Sequence, residues 1–232
     1  MNYDAILFDV GDTLIGYEPS QTEAYLARFS QLSAVPLPSD AAERVTEALK
    51  AAEYEQLMKE HLGAVRMPDD EFLCMLDTAA LGSVFSNPAE LLPALQAMPG
   101  ERPQRAVKPV TFPVLDELRR RGQRMGIVSN YPPELRDYLQ RVGLAPYFEA
   151  IIISGIVGVE KPDPRIMELA LKEMNVQPER CLYVGDHPFD VLCARKAGMD
   201  VAWIASEKTQ LPSGIDEQET FRIRDLNDLL RL

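Results

Sequence analysis

A handful of polar side chains, each placed just beyond an apolar run, could together perform chemistry on a small anionic molecule. Asp9 follows Ala5-Ile6-Leu7-Phe8, and Ser129 with Asn130 follows Met125-Gly126-Ile127-Val128. Lys161 lies in the loop after Ala150–Ile153, and Gly185, Asp186 and Asp190 follow Cys181-Leu182-Tyr183-Val184. Taken singly, each has a plainer use: Asp9 and Ser129-Asn130 as turn residues, Lys161 as a solvated charge, Asp190 as a helix starter. Four strand ends carrying a hydroxyl, an amine and three carboxylates are harder to dismiss together, because ligands of an open parallel sheet bind beyond the carboxyl ends of its strands.

The chemistry follows from charge. Three carboxylates in one crevice repel each other and any phosphate, so the cluster calls for a cation, and hard oxygen ligands favour Mg²⁺. Asp9 and Asp186 are the expected direct ligands, with Asp190 direct or one step behind. The ion and Lys161 would neutralise phosphoryl oxygens, while the Ser129 hydroxyl and the Asn130 backbone N–H hydrogen-bond them and set phosphorus in line with an Asp9 oxygen. Attack by that oxygen gives an aspartyl-phosphate, which water hydrolyses.

The elements that position these groups fall into two kinds. The apolar run at Ala5–Phe8 fits a strand buried on both faces of a parallel sheet. From Tyr17 onward helical signals dominate. Ser39 or Asp40 could cap a helix to Leu62 with Gly63 as its stop, Asp69 could cap another ending at Gly82, and Asn87-Pro88 reads as a cap with proline in the first turn. The proline-rich stretch from Pro99 to Pro113 reads as a return linker. Beyond it come a helix over 114–121 closed by Gly122, strands at 125–128 and 150–153, and a helix from Pro164 to about Met174. Strand 181–184, a helix ending near Ala197-Gly198, strand 201–204 and a short helix near Leu226–Leu230 complete an alternation that favours parallel strands with right-handed crossovers.

Bulk properties narrow the partners. The chain of 232 residues can hold one core with a smaller module. A formal net charge of −12 argues against nucleic acid and anionic membrane, and it makes any phosphate site depend on local positive charge. No basic N-terminal segment or long apolar run marks the chain for export or membrane insertion, so a cytoplasmic location is expected. Cys74, Cys181 and Cys193 are odd in number and widely spaced, which suggests buried free thiols. Oligomeric state leaves no trace in the pattern.

The sequence resembles the haloacid dehalogenase superfamily of aspartate-nucleophile hydrolases. The carriers are Phe8-Asp9-Val10-Gly11-Asp12-Thr13-Leu14, Ile127-Val128-Ser129-Asn130, Glu160-Lys161-Pro162-Asp163-Pro164 and Val184-Gly185-Asp186-His187-Pro188-Phe189-Asp190, in the family's order. The resemblance implies a Rossmann-like α/β parallel sheet flanked by helices, formed by residues 1–16 and 106–232. It also implies a smaller all-helical cap over 17–105 that closes over the site and selects substrate. It implies Asp9, Ser129 and Lys161 as catalytic residues, Ser129, Asn130 and Lys161 as the substrate's contacts, and a metal set of Asp9, Gly11, Asp186 and Asp190. The expected reaction is Mg²⁺-dependent hydrolysis of a small phosphorylated metabolite.

One departure stands out. Family phosphatases usually carry a second aspartate two residues after the nucleophile, as general acid and then base, and here that place is Gly11. Such help is typically worth about 10²–10⁴ in rate, so activated leaving groups should be favoured, and a carboxylate restored by Gly11→Asp is expected to raise alkyl phosphate turnover. Asp12 need not compensate. His187 is a conceivable proton donor but a turn histidine is the commoner case, and Thr13 is expected to bond the loop backbone. Two other readings compete. One is metal-free hydrolysis of a carbon–halogen bond, which halide release from a 2-haloacid would reveal. The other is a non-catalytic module that binds Mg²⁺ or a phosphorylated ligand, which ligand stabilisation without turnover would reveal. Arg28, Arg44, Lys50, Lys59, His61 and Arg66 are cap candidates for specificity whose default is a solvated helix face. Tyr17, Tyr25 and Phe29 could line the entrance, with packing the commoner reading.

Overall fold

The computed structural model describes residues 3–61, 67–98, 104–205 and 220–232. By its internal contacts the chain divides into Met1–Gly16 with Ala106–Leu232, and Tyr17–Arg105.

The first unit is built on strands β1 (Ala5–Phe8), β4 (Arg124–Ser129), β5 (Ala150–Ile153), β6 (Cys181–Gly185), β7 (Asp200–Ile204) and β8 (Thr220–Ile223). They form one sheet in the order β5-β4-β1-β6-β7-β8 with every pairing parallel. β1 lies in the interior of this order, and its four residues are fully buried, as a strand covered on both faces requires. In register, Phe8 stands beside Ile127 and Val184, so the residues that follow all three strands emerge together. Helices α5 (Thr111–Arg120), α6 (Leu135–Arg141), α7 (Ser154–Val157), α8 (Arg165–Met174), α9 (Pro188–Lys196) and α10 (Leu226–Leu229) connect and flank the strands. Two apolar cores result. One holds Ile6, Phe8, Val114, Leu118 and Leu182; the other holds Leu7, Ile166, Met174, Tyr183 and Trp203. Successive residues of β1 thus point alternately into different cores, which follows from the two-residue period of a strand.

The second unit contains α1 (Gln21–Leu32), α2 (Ala41–His61), α3 (Asp69–Val84) and α4 (Pro88–Ala97). Its core gathers Tyr25, Phe29, Val45, Leu49, Leu76, Leu81 and Leu95. Ser20 starts α1 through a capping box with Glu23, whose side chain accepts from the Ser20 backbone N–H at 2.8 Å. Where the chain passes between the units, β2 (Ile15–Glu18) and β3 (Gln104–Val107) pair as a separate two-stranded sheet.

Several expectations need correction. The segment 17–105 is not purely helical, because β2 and β3 reach into it from either side, and β3 lies in what reads as linker. Asp69 is the first residue of α3 rather than its cap, Pro68 taking that place, and the helix runs past Gly82 to Val84. The turn continues because glycine costs only about 1 kcal/mol in a helix and the Phe85 N–H still finds the Leu81 carbonyl. Asn87 precedes Pro88 as the N-cap of α4, though its side-chain amide bonds Glu90 rather than a backbone N–H. Gly63, Arg66 and the His61 side chain lie outside the described residues. Tyr25 and Phe29 are buried in the helical core, so packing accounts for them, while Tyr17 is half-buried. Cys181 and Cys193 are buried, Cys74 is partly exposed, and all three are free.

Candidate active site

Strand ends in the middle of the sheet converge on one buried group of side chains. Asp9 follows β1, and its Oδ1 accepts from the Ser129 hydroxyl at 2.8 Å and from Lys161 Nζ at 2.7 Å. Lys161 Nζ also donates to Asp190 Oδ1 at 2.5 Å and to the Tyr183 hydroxyl at 3.1 Å. An ammonium has three N–H donors, so all three are engaged. Lys161, Asp9 and Asp190 are 5%, 7% and 0% exposed, which makes this a buried ion triad that holds only because each charge meets its partners.

Each member is fixed from behind. Asp190 Oδ2 accepts from the His187 backbone N–H at 2.9 Å, where α9 begins. Gly185 is the reason Asp190 can come so close to β6: a Cβ there would fall 2.5 Å from the Asp190 Cγ. Asn130 donates through Nδ2 to the Lys161 carbonyl at 2.9 Å and accepts through Oδ1 from the Lys161 N–H at 2.8 Å. This two-way amide contact imitates a strand pairing and ties the loop after β4 to the loop that carries the lysine. The Tyr183 hydroxyl lies 2.9 Å from the Val128 carbonyl and 3.1 Å from Asp190 Oδ1, able to donate to either while accepting from Lys161.

Asp186 completes an acidic group. Asp9, Asp186 and Asp190 each offer a carboxylate oxygen, and these oxygens lie within 4.8 Å of one another. The Thr13 hydroxyl donates to Asp186 Oδ1 at 3.3 Å, so Thr13 bonds a side chain where the loop backbone was expected. The Asp186 carbonyl accepts from Trp203 Nε1 at 3.0 Å.

The electrostatics qualify the idea that only an added ion could hold three carboxylates together. Lys161 stands between Asp9 and Asp190 and supplies one compensating charge from within the chain. Burial pulls the lysine's pKa down, but Asp190 and Asp9 together outweigh it and raise the pKa above the ordinary value. Burial is also the largest influence on Asp9 and lifts its pKa above the usual carboxylate range. Lys161 opposes that rise, Asp190 reinforces it, and Ser129 opposes it. Tyr183 is pushed up by burial first and then by the two carboxylates, so it is a neutral phenol.

The remaining expected site residues are also located. Gly11 sits in the loop after Asp9, half-buried. Asp12 is exposed with φ 47°, in the left-handed region, and its carbonyl accepts from Lys108 Nζ. His187 caps α9, its Nδ1 accepting from the Phe189 N–H at 3.1 Å, which is the turn role. Of the cap candidates, Lys59 pairs with Glu55 on an exposed face and Arg28 lies 4.6 Å over the Tyr25 ring, while Arg44 and Lys50 are exposed. Tyr183 was not foreseen: within an apolar strand it reads as core. Its signal was the hydroxyl itself, since a buried phenol needs a partner.

A parallel α/β sheet with a lysine-bridged pair of aspartates at its strand ends defines a hydrolase-type site of the Rossmann-like class. The sequence matches the haloacid dehalogenase-like hydrolases over residues 3–198, and the chain belongs to that family. It is 37% identical to the phosphoserine phosphatase of Thermus thermophilus over 131 residues, which cover 56% of this chain and 52% of that protein. The match thus spans about half the length of that relative. Over 233 residues it is 29% identical to the glyceraldehyde 3-phosphate phosphatase of Methanothermobacter thermautotrophicus, covering 98% and 97% of the two chains. The L-2-haloacid dehalogenase RSc1362 shares the fold at a TM-score of 0.61 and 20% identity, with 100% of this chain and 98% of that one covered.

Proposed function

We propose that the chain hydrolyses a small phosphorylated metabolite, with Asp9 as nucleophile and Mg²⁺ as cofactor. The observation that carries the reading is the acidic group of Asp9, Asp186 and Asp190 around Lys161. Four charges of which three are negative leave a deficit of positive charge in a buried place, and oxygen donors suit a hard divalent ion. Asp9, Asp186 and the Gly11 backbone would hold it, with Asp190 contributing directly or through a ligand, since its two oxygens already serve Lys161, Tyr183 and the His187 N–H. The ion would supply charge neutralisation for the carboxylates and for the phosphoryl oxygens.

The chain's own groups do the rest. Both hydrogen bonds to Asp9 fall on Oδ1, fixing the carboxylate plane against rotation. An Asp9 oxygen attacks phosphorus, the bond to the leaving oxygen breaks, and water hydrolyses the acyl phosphate to free phosphate and carboxylate. Ser129 and Lys161, donors to Asp9 here, are placed to donate to the phosphoryl oxygens of a bound ester. The relatives named phosphatases favour phosphate over carbon–halogen bonds, and so does an acidic set that a metal-free dehalogenation would not need. The segment 17–105 we read as a cap that selects substrate. No helix among the described residues is long and apolar enough to cross a membrane, and free thiols fit a reducing cytoplasm. A net charge of −12 disfavours nucleic acid and anionic membranes as partners.

Phosphate release from a panel of phosphorylated metabolites, with Mg²⁺ or with EDTA, tests this. Asp9→Asn and EDTA are each expected to abolish release; activity indifferent to both would refute the mechanism.

A further inference from the structure

The position of the missing second carboxylate is not empty space. A Cβ built on Gly11 would lie 3.3 Å from Tyr131 Cε2 and 3.4 Å from the Tyr131 hydroxyl oxygen. Any side chain at position 11 would press its Cβ on the Tyr131 ring, which would have to give by a few tenths of an ångström. Tyr131 follows Ser129 and Asn130, so it comes from the same strand end that supplies a donor to Asp9.

Its backbone is held on both sides. The Tyr131 carbonyl accepts from the Gly155 N–H at 3.0 Å and from the Ser154 hydroxyl at 3.4 Å, at the start of α7. Gly155 must lack a side chain here, since a Cβ would fall 2.9 Å from that carbonyl and 2.8 Å from Pro133 Cδ. On the other side, Asn130 is clamped to Lys161. The ring packs half-buried against the core that includes Phe8 and Val10. The backbone at Tyr131 is thus fixed, and its ring rests between that core and Gly11.

We propose that Tyr131 and Gly11 are a size-exchanged pair: the phenol takes the room a carboxylate would use and donates a hydrogen bond to the leaving oxygen of the phosphate ester. The assignment rests on the phosphatase reading above. It gives Tyr131 a hydrogen bond and no proton transfer. The Asp9 oxygen bonds to phosphorus, the ester P–O bond breaks with its electron pair going to the leaving oxygen, and that oxyanion, held by the phenol O–H, takes its proton from water. Ester oxygens that accumulate most charge gain most from such a donor, so alkyl phosphates depend on Tyr131 more than aryl phosphates do.

The test compares glycerol phosphate with p-nitrophenyl phosphate in Mg²⁺ for the parent, Tyr131→Phe, Gly11→Asp and the double variant Gly11→Asp with Tyr131→Ala. Tyr131→Phe is expected to lower kcat on glycerol phosphate about tenfold and on the aryl ester about twofold or less, the tenfold loss being that of one hydrogen bond. Contrary to the expectation from the sequence, the Tyr131 ring beside Gly11 means that Gly11→Asp alone is expected to lower both the thermal midpoint and alkyl turnover, and the double variant to recover both. Equal losses on the two esters, or none, would overturn the hydrogen bond. A Gly11→Asp protein with an unchanged midpoint and faster alkyl turnover would overturn the shared volume. If the parent releases phosphate from neither ester or any metabolite, the phosphatase reading falls and takes the hydrogen bond with it. Parent activity on both esters, with Tyr131→Phe indistinguishable from it, removes this proposal alone.

Discussion

At the scale of single residues, Lys161 carries the most. Its three N–H donors reach Asp9, Asp190 and Tyr183, so it holds the nucleophile candidate, an acid and a phenol together. Removing one partner of a buried ion pair leaves uncompensated charge and typically costs about 3–5 kcal/mol. Lys161→Met is therefore expected to lower metal-free stability by that order in urea unfolding, and a loss below about 1 kcal/mol would show that the carboxylates find another partner. That Asp9, Ser129, Lys161, Asp186 and Asp190 would gather was legible because each stands at or in the segment following a recognisable apolar run. What could not be read was who bonds whom. The sequence suggested an ion as the answer to carboxylate repulsion, whereas the folded chain places an ammonium between two of them. Thr13 reaching Asp186 and Tyr131 facing Gly11 are contacts across distant segments that no local pattern encodes.

At the scale of elements, the core between β1, β4 and α8 is packed over a glycine. A Cβ on Gly126 would fall 2.6 Å from Leu7 Cδ2 and 2.8 Å from Met174 Sδ, so the Leu7 and Met174 side chains, both buried, occupy the room an alanine methyl would need and would have to shift. Overpacking of this kind typically costs about 1–3 kcal/mol, and Gly126→Ala is expected to lose that much in a denaturant titration. A different element gives a pH signature. On α5, Glu117 accepts from Arg120 and Arg121, and those hydrogen bonds hold its carboxyl down at about 2. A depressed folded pKa stabilises above the unfolded value and is lost as pH falls through the folded one. The thermal midpoint of Glu117→Gln should thus lie below the parent's at neutral pH, with the gap closing between about pH 4 and pH 2. The buried strands β1, β4, β5, β6 and β7 showed in the sequence because continuous apolar runs have few other uses. β8 and β3 did not, since Thr220–Ile223 and Gln104–Val107 are largely exposed and carry no such run. α1 was not read as an element although its signals are present: Ser20 and Glu23 stand at capping-box spacing, and Tyr25 and Phe29 recur four residues apart on its buried face.

At the scale of the whole molecule, the first unit is discontinuous in sequence, Met1–Gly16 joining Ala106–Leu232, while the helical unit is an uninterrupted stretch. β1 ends at Phe8, yet its neighbours on either side begin at Arg124 and Cys181. During synthesis a ribosome therefore exposes an apolar ribbon whose partners do not yet exist, and the segment that carries Asp9 must wait for most of the chain to be translated. Pairings that span so much chain are slow to close and vulnerable to aggregation until they do. The acidic side chain immediately following that ribbon, and the strong negative charge of the polypeptide as a whole, oppose sticking between nascent copies during the delay.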